Sequence, residues 1–316
     1  MRQVVGIDDA AMAAVESAFS WLEEGRASMP PIMHIKVRAH GDVDVKSAYV
    51  EGLPHFAIKI ASGFYGNAER GLPTGSAMMV LLNSETGFCE AVLLDNSYLT
   101  DLRTGLAGAV AAKYLAPSTV NTVGVLGTGT QARYQVHCLH LVRDFRRIIV
   151  WGRSAQKGRA YADDMQKDGQ FEVTVAESTE EVVRGCDVLV TATASDRPLV
   201  EAGWLHDGQH ITAVGSDFPR KQELEAEILE RADRVVCDRL SQCRENGELQ
   251  HLLVNGELPR GFDVTELGEL TTGKKPGRQK SSEITVCDLT GTGVQDTAIA
   301  NLAYAEAARL GLGFVI

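Results

Sequence analysis

The stretch Gly127-Thr128-Gly129-Thr130-Gln131-Ala132 has the spacing G-x-G-x-x-A, and it joins an apolar, β-branched run to a stretch with helical spacing. In that setting the first glycine permits a tight turn. The second lets a pyrophosphate approach the backbone, and Ala132 lets the helix lie close on its strand. The helix start then offers N–H groups and a positive dipole end to phosphate. The same glycines would also serve a strand–helix turn that holds nothing, but the flanking pattern reads as a dinucleotide turn. A site for NAD usually places an acid at the end of the next strand, about 20 residues on, to take the ribose hydroxyls. Here Gly152-Arg153-Ser154 stands there, followed by Lys157, and no acid is present. Arginine pairs with a 2′-phosphate that a carboxylate would repel. NADP(H) is therefore favoured, with NAD(H) accepted if Arg153 only stacks on the adenine.

Three further residues have types and surroundings suited to chemistry. Asp217 follows the strand-like HITAVG, and ligands of an open parallel sheet gather beyond such strand ends. A carboxylate there can stabilise an iminium and exchange its proton, or it can cap a helix starting near Lys221. Lys59 interrupts the apolar FAIKIA, so it either snorkels from a sheet face or points into a polar cavity. Arg103 has apolar Leu99, Leu106 and Ala107 one turn away. A buried cation needs an anion, and both a substrate carboxylate and an internal salt bridge would serve. His137 and His140 share a helix face without a third ligand nearby, so they read as packing residues or part of a solvated face, and no metal site is expected. The six cysteines form no Cys-x-x-Cys pair and read as reduced thiols.

The elements that must position these groups follow from periodicity. Residues 9–25 repeat apolar positions at helical spacing, and 30–94 give five short strand-like runs: HIKVRA, VDVKSAYV, HFAIKIA, SAMMVLLN and CEAVLLD. A helix is expected over 98–115, closed by Pro117. From residue 120 strands (TVGVLG, RRIIVWG, FEVTVAE, DVLVTAT, HITAVGSD, RVVCD) alternate with helices near 131–143, 155–167 and 178–185, which predicts a doubly wound parallel sheet of Rossmann type. Residues 240–270 look helical and loop-like, and 273–281 read as a basic surface loop. LTGTGVQD near the end resembles LGTGTQA, but a single helix follows it, too little for a second βαβ unit. The expected organisation is α/β. Residues 1–117, completed by the last helix (294–316), form a mixed α+β substrate and dimerisation domain, and 118–293 form the dinucleotide domain. A net charge of −11 argues against nucleic acid as partner and for solubility. The chain has no apolar run of about 18–20 residues and no signal-like start, so a cytoplasmic protein without membrane contact is expected.

Five motifs in order, SGFYGNAERGLPTGSAMMVLLNSETG, LLDNSYLTDLRTGLAGAVAAKYLAP, VGVLGTGTQA, AVGSDFPRKQEL and CDLTGTGVQDTAIA, resemble the ornithine cyclodeaminase/mu-crystallin family over nearly the whole chain. DVKSAY, CDRLSQ, GELQH and EITVCDLTGTGVQDTAIA look most like its cyclodeaminase-like members of ectoine and hydroxyectoine utilisation. The resemblance implies a homodimer acting on a small amino or imino acid at the carbon bearing nitrogen. Lys59 matches the family's active-site lysine, Arg103 its carboxylate-binding arginine and Asp217 its catalytic aspartate. Thr104 would touch the cofactor. Gly293 and Val294 would touch substrate, in the turn Gly293-Val294-Gln295-Asp296 that closes the family's site. The family's second carboxylate-binding arginine, expected after Pro30-Pro31, is missing. Ile32, Met33 and His34 follow instead, so either His34 stands in or the substrate is a cyclic imino acid held differently, and Arg38 is unplaced. The preferred reading is an NAD(P)-dependent imine reductase or amino-acid dehydrogenase. The alternatives are a redox-neutral cyclodeaminase with tightly bound NAD, and a non-enzymatic NADP-dependent ligand-binding protein like mu-crystallin. Intact Lys59, Arg103 and Asp217 argue for an enzyme.

Overall fold

The computed structural model describes residues 1–38 and 40–314. The expected strand 34–39 and the expected segment 294–316 therefore run onto Ala39, Val315 and Ile316, which lie outside the described residues. The chain forms two compact units, Met1–Arg103 with Thr292–Ile316, and Thr104–Gly291. The first cut falls inside a helix (α2, Tyr98–Leu115) rather than at Pro117 beyond it.

The first unit opens with α1 (Asp9–Glu23), whose first turn is capped by the Asp8 carboxylate accepting from the Ala11 N–H at 2.9 Å. Six strands follow: β1 (Ala27–Ser28), β2 (Met33–Val37), β3 (Gly41–Val50), β4 (His55–Gly63), β5 (Gly75–Asn83) and β6 (Cys89–Leu93). They make an antiparallel sheet in the order β1-β3-β4-β5-β6, with β2 also paired to β3. Period-two alternation divides its faces. Lys46, Ala48 and Val50 of β3, Ala57 and Lys59 of β4, and Ala77, Met79 and Leu81 of β5 are buried. The last helix, α9 (Gly293–Arg309), lies on β3 and β4 of this unit and packs against α1. Small residues allow the close approach: a Cβ on Gly293 would strike the Ser47 backbone. Thr297 fixes the helix by donating to the Ala48 carbonyl at 2.7 Å and accepting from the Ala57 N–H at 3.0 Å. The opposite sheet face is apolar too. Met33, Val45, Ile60 and Met78 are successive cross-strand partners, as are Ile58, Val80 and Val92.

The second unit contains β7 (Thr122–Leu126), α3 (Thr130–Leu139), β8 (Arg147–Trp151), α4 (Ala155–Met165), β9 (Glu172–Val175), α5 (Thr179–Arg184), β10 (Val188–Thr191), β11 (Asp196–Val200), β12 (His210–Ala213), β13 (Gln222–Leu224), α6 (Ala226–Arg231), β14 (Arg234–Cys237), α7 (Leu240–Asn246), β15 (Thr265–Glu266), α8 (Leu267–Thr271) and β16 (Thr285–Asp288). Eight strands form one parallel sheet, β15-β14-β16-β12-β10-β7-β8-β9. The run β9-β8-β7-β10-β12 is the doubly wound Rossmann order, which reverses direction between β7 and β10. β7, β10, β12 and β16 are buried almost throughout because helices cover both faces of such a sheet. The short β11 and β13 pair with each other outside it. The two-residue β1 and β15 and the three-residue β13 carry too few residues for a readable period. Among the described residues no helix is long and apolar enough to cross a membrane.

Candidate functional site

In the second unit the turn after β7 stands at the point where the strand order reverses. Gly127 has φ of 122°, a left-handed conformation that other residues avoid. Gly129 is the N-cap of α3 and makes no side-chain cap bond, and a Cβ placed on it would meet nothing within 4 Å. The first N–H groups of α3 thus face open space over a bare backbone, a cradle that fits a diphosphate. Thr128 is half-buried, while Gly129 and Thr130 are exposed. Gln131 is the second residue of the helix beside them.

Sequence reasoning missed the residue that braces this turn. Arg133 donates to the carbonyls of Thr128 at 2.8 Å and Gly129 at 3.1 Å, and its Nε donates to Asp164 at 2.6 Å. Its guanidinium also lies 4.8 Å from the Tyr161 ring centroid. Arg133 thus supplies hydrogen-bond donors to two carbonyls of the turn. Thr104 is tied to the same helix, its carbonyl accepting from Gln135 Nε2 at 2.9 Å.

At the end of β8, Arg153 and Lys157 are exposed and no acid stands between them. Ser154 caps α4, its hydroxyl accepting from the Lys157 N–H at 3.3 Å. Asp217 lies beyond the carboxyl end of β12, with its side chain 49% exposed and 2.6 Å from Lys221 Nζ. No helix starts near Lys221: Gln222–Leu224 is a strand, so the helix-cap alternative for Asp217 is corrected. Glu223 on that strand holds the loop that carries Asp217. Its buried carboxylate accepts from the N–H of Thr193 at 2.6 Å and of Gly215 at 3.0 Å. Burial pushes the Glu223 carboxyl upward.

In the first unit, Lys59 and Arg103 converge on one carboxylate. Lys59 Nζ lies 3.0 Å from Oδ1 and 2.9 Å from Oδ2 of Asp296. Arg103 Nε donates to the same Oδ1 at 2.9 Å, and its Nη1 donates to Gln295 Oε1 at 3.3 Å. Gln295 is itself fixed by accepting the Thr292 N–H at 2.9 Å. Burial, and then the Arg103 charge, push the Lys59 ammonium down to about 7 against the pull of Asp296. Burial would raise the Asp296 carboxyl, but Lys59 and Arg103 outweigh it and hold that group below its usual range. The cluster therefore pairs a firmly ionised carboxylate with a lysine able to exchange its proton near neutral pH.

Asp296 and Gln295 were visible in sequence only as members of a turn. The signal that could have marked Asp296 is the need of two cations in apolar runs for an anion. Gly293 is accounted for by its closeness to Ser47, and Val294 packs with Ala18, Ala48, Val50 and Ala298. His34 is exposed on β2 with Nδ1 2.6 Å from Asp44, and Arg38 is an exposed turn residue with φ of 46°. His137 and His140 lie against Phe171. Among the described residues no group of three or more His, Cys, Asp or Glu could hold a metal.

The sequence pattern of the ornithine cyclodeaminase/mu-crystallin family matches residues 3–310. The chain belongs to that family. It is 45% identical to an uncharacterised cyclodeaminase of Sinorhizobium fredii over 99% of this chain and 95% of that one. Among solved structures it resembles an archaeal alanine dehydrogenase dimer with bound NAD, with a TM-score of 0.92, 37% identity, and coverage of 100% and 96%. It also resembles a Δ1-pyrroline-2-carboxylate reductase of Thermococcus litoralis in complex with NADH and L-proline, with a TM-score of 0.93, 29% identity, and coverage of 100% and 97%. Like these family members, the chain is an enzyme.

Proposed function

We propose that this enzyme oxidises an amino acid, or reduces an imino acid, at its C–N bond with a nicotinamide cofactor. The observation that carries the reading is the buried Lys59–Asp296–Arg103 cluster. It holds two cations in fixed geometry, a pairing suited to a substrate carboxylate, and one of them can move a proton near neutral pH. Arg103 and Lys59 grip the carboxylate, Gly293 and Val294 shape the adjoining backbone, and Asp296 keeps both cations oriented. Asp217 stabilises the iminium nitrogen and supplies or accepts its proton. The cofactor supplies or takes the hydride. In the oxidative direction an amino acid and NAD(P)+ give the imino acid, NAD(P)H and one proton; hydrolysis of the imine then gives an oxo acid and ammonium.

The cofactor is assigned to Gly127, Thr128, Gly129, Thr130, Gln131 and Thr104, with Arg153, Ser154 and Lys157 at the ribose end. The exposed pair Arg153 and Lys157, with no acid beside them, supports NADP(H) over NAD(H). The apolar outer face of the first unit's sheet, where Met33 is 60% and Val92 52% exposed, supports a homodimer built on that face. Amino acids derived from ectoine are among the candidate substrates.

The reading is tested by following NAD(P)H absorbance with linear and cyclic imino acids and with amino acids. Net cofactor oxidation or reduction is expected. Ammonia release with no net cofactor change would identify cyclodeamination instead. Lys59→Ala and Arg103→Ala should each raise KM as well as lower kcat.

A further inference from the structure

The motif Gly247-Glu248-Leu249-Gln250-His251 runs into the 3-10 turn Glu248–Leu252. Three of its side chains reach the stretch that follows Asp217. The buried Glu248 carboxylate accepts from the N–H groups of Glu223 at 2.8 Å and Leu224 at 3.2 Å. Gln250 Oε1 accepts the Arg220 N–H at 3.1 Å. His251 Nε2 donates to the Lys221 carbonyl at 2.7 Å, and the same carbonyl accepts from Ser216 Oγ at 2.8 Å. The turn is itself anchored at the end of β16. Asp288 accepts from the Leu249 N–H at 3.1 Å, and a Cβ on Gly247 would strike the Asp288 carboxylate.

These bonds answer a need of the loop. Residues 214–221 have no regular structure, and Arg220 has φ of 73°, a left-handed conformation that persists only where its surroundings hold it. An exposed Asp217 on an unheld loop would swing, whereas proton exchange needs it within hydrogen-bond reach of one substrate atom. Ser216 and Lys221 bracket Asp217 and are bonded to each other, and His251 holds the Lys221 backbone. The loop is also tied to the dinucleotide turn. Glu223 joins the N–H groups of Gly215 and Thr193, and a Cβ on Gly127 would strike the carbonyl of Ala192, next to Thr193. Glu223, Glu248 and Asp288 place three buried carboxyls close together, at a cost. Burial, then the charges of Glu223 and Asp288, push the Glu248 carboxyl well above its usual range. Functional sites are where such costs are carried. We propose that Gln250 and His251 are positioning residues, which hold the loop 215–221 so that Asp217 can exchange a proton with the substrate nitrogen, while Glu248 fixes their turn to β13. This rests on the reading above that Asp217 is the acid–base group.

The test begins with amide hydrogen exchange of the NAD(P)H-loaded enzyme, which reads the loop without turnover. In the double variant Gln250→Leu, His251→Leu, exchange over residues 215–221 should rise at least about tenfold while β7 and β12 stay protected. His251→Gln, which keeps an N–H donor, should stay within about threefold of the wild type in exchange and in turnover. Turnover is then measured on the best substrate among linear and cyclic amino and imino acids, L-alanine, L-proline and Δ1-pyrroline-2-carboxylate included. The double variant should lower kcat at least about tenfold, with KM and NAD(P)H affinity changed less than about threefold. In an Asp217→Asn background the same pair should cost less than about threefold more, because the group it positions is gone. Unchanged exchange over 215–221 overturns the proposal. So does raised exchange with kcat retained, or a tenfold loss repeated in the Asp217→Asn background, the mark of a merely structural turn. Asp217→Asn that keeps more than a tenth of wild-type turnover overturns the reading of Asp217, and the positioning role with it, whatever the exchange shows.

Discussion

Arg103 and Asp296 stand 193 residues apart in the chain, yet Arg103 Nε donates to the Asp296 carboxylate at 2.9 Å with both side chains buried. The pair is the fixed part of the candidate site, because Asp296 is held ionised by the cations around it.

Asp296→Asn keeps the shape and removes the charge, leaving buried cations without their anion. It should destabilise the protein by about 3–5 kcal/mol, the usual scale for breaking one side of a buried pair. Urea unfolding measures this, and a loss below about 1 kcal/mol would contradict a buried pair of this kind.

Lys59 gives stability a definite pH dependence. An unfolded lysine keeps its proton up to about pH 10.4, whereas folded Lys59 releases it near 7. Between those values the unfolded state binds more protons, so stability rises with pH, by up to about 1.4 kcal/mol per unit from this group. Below pH 7 both states hold the proton, and the cost of burying the charge is present in full. Asp296 acts in the same sense at acid pH. Its depressed carboxyl contributes stability above the unfolded value, and this is lost as pH falls through the folded one. Unfolding free energies of wild type and Lys59→Met, measured from pH 6 to 9.5, should diverge in favour of the wild type as pH rises. Parallel curves would show that Lys59 does not titrate in this window.

How much of this was legible beforehand depended on the range of the signal. The dinucleotide turn, Lys59 and Arg103 could be read because each is marked by its own neighbours: glycine spacing in one case, a cation in an apolar run in the others. Helix α2 and the strands β3, β4, β5 and β7 followed from local periodicity for the same reason. Asp296 escaped because its partners are 237 and 193 residues away, and nothing near it in sequence shows where its carboxylate points. Arg133 escaped because an arginine on an exposed helix turn looks solvated until the carbonyls it holds are seen. The strand at Gln222–Leu224 leaves no mark in the sequence, because its pairing with β11 lies outside the large parallel sheet.

Asp217→Asn retains shape but loses charge and proton. Turnover should fall by about two to four orders of magnitude, the scale for removing one acid–base or electrostatic group. NAD(P)H affinity, read by fluorescence, should barely change. Retention of more than a tenth of wild-type turnover on the true substrate would remove Asp217 from the chemistry.

Arg153→Asp should weaken NADPH binding by at least about tenfold, the worth of one charge-assisted contact, and spare NADH. Wild-type protein that binds NADH tenfold more tightly than NADPH would overturn the preference proposed from the end of β8.

The outer sheet face should govern assembly. Met33→Glu combined with Val92→Glu places two charges on that face without touching the buried one. Light scattering should then report a shift from dimer to monomer at micromolar concentration. An unchanged oligomeric mass would move the interface elsewhere.

The return of α9 to the first unit has a consequence for biosynthesis. Lys59 and Arg103 leave the ribosome first, then all of Thr104–Gly291, and only then Asp296. At about 5–20 residues per second, the nascent chain spends on the order of ten seconds or more without the anion those cations require. The parallel-sheet unit can mature in that interval from contacts among its own residues. The lysine-bearing sheet must wait, its inner face open to chaperones, until the helix that covers it has been translated.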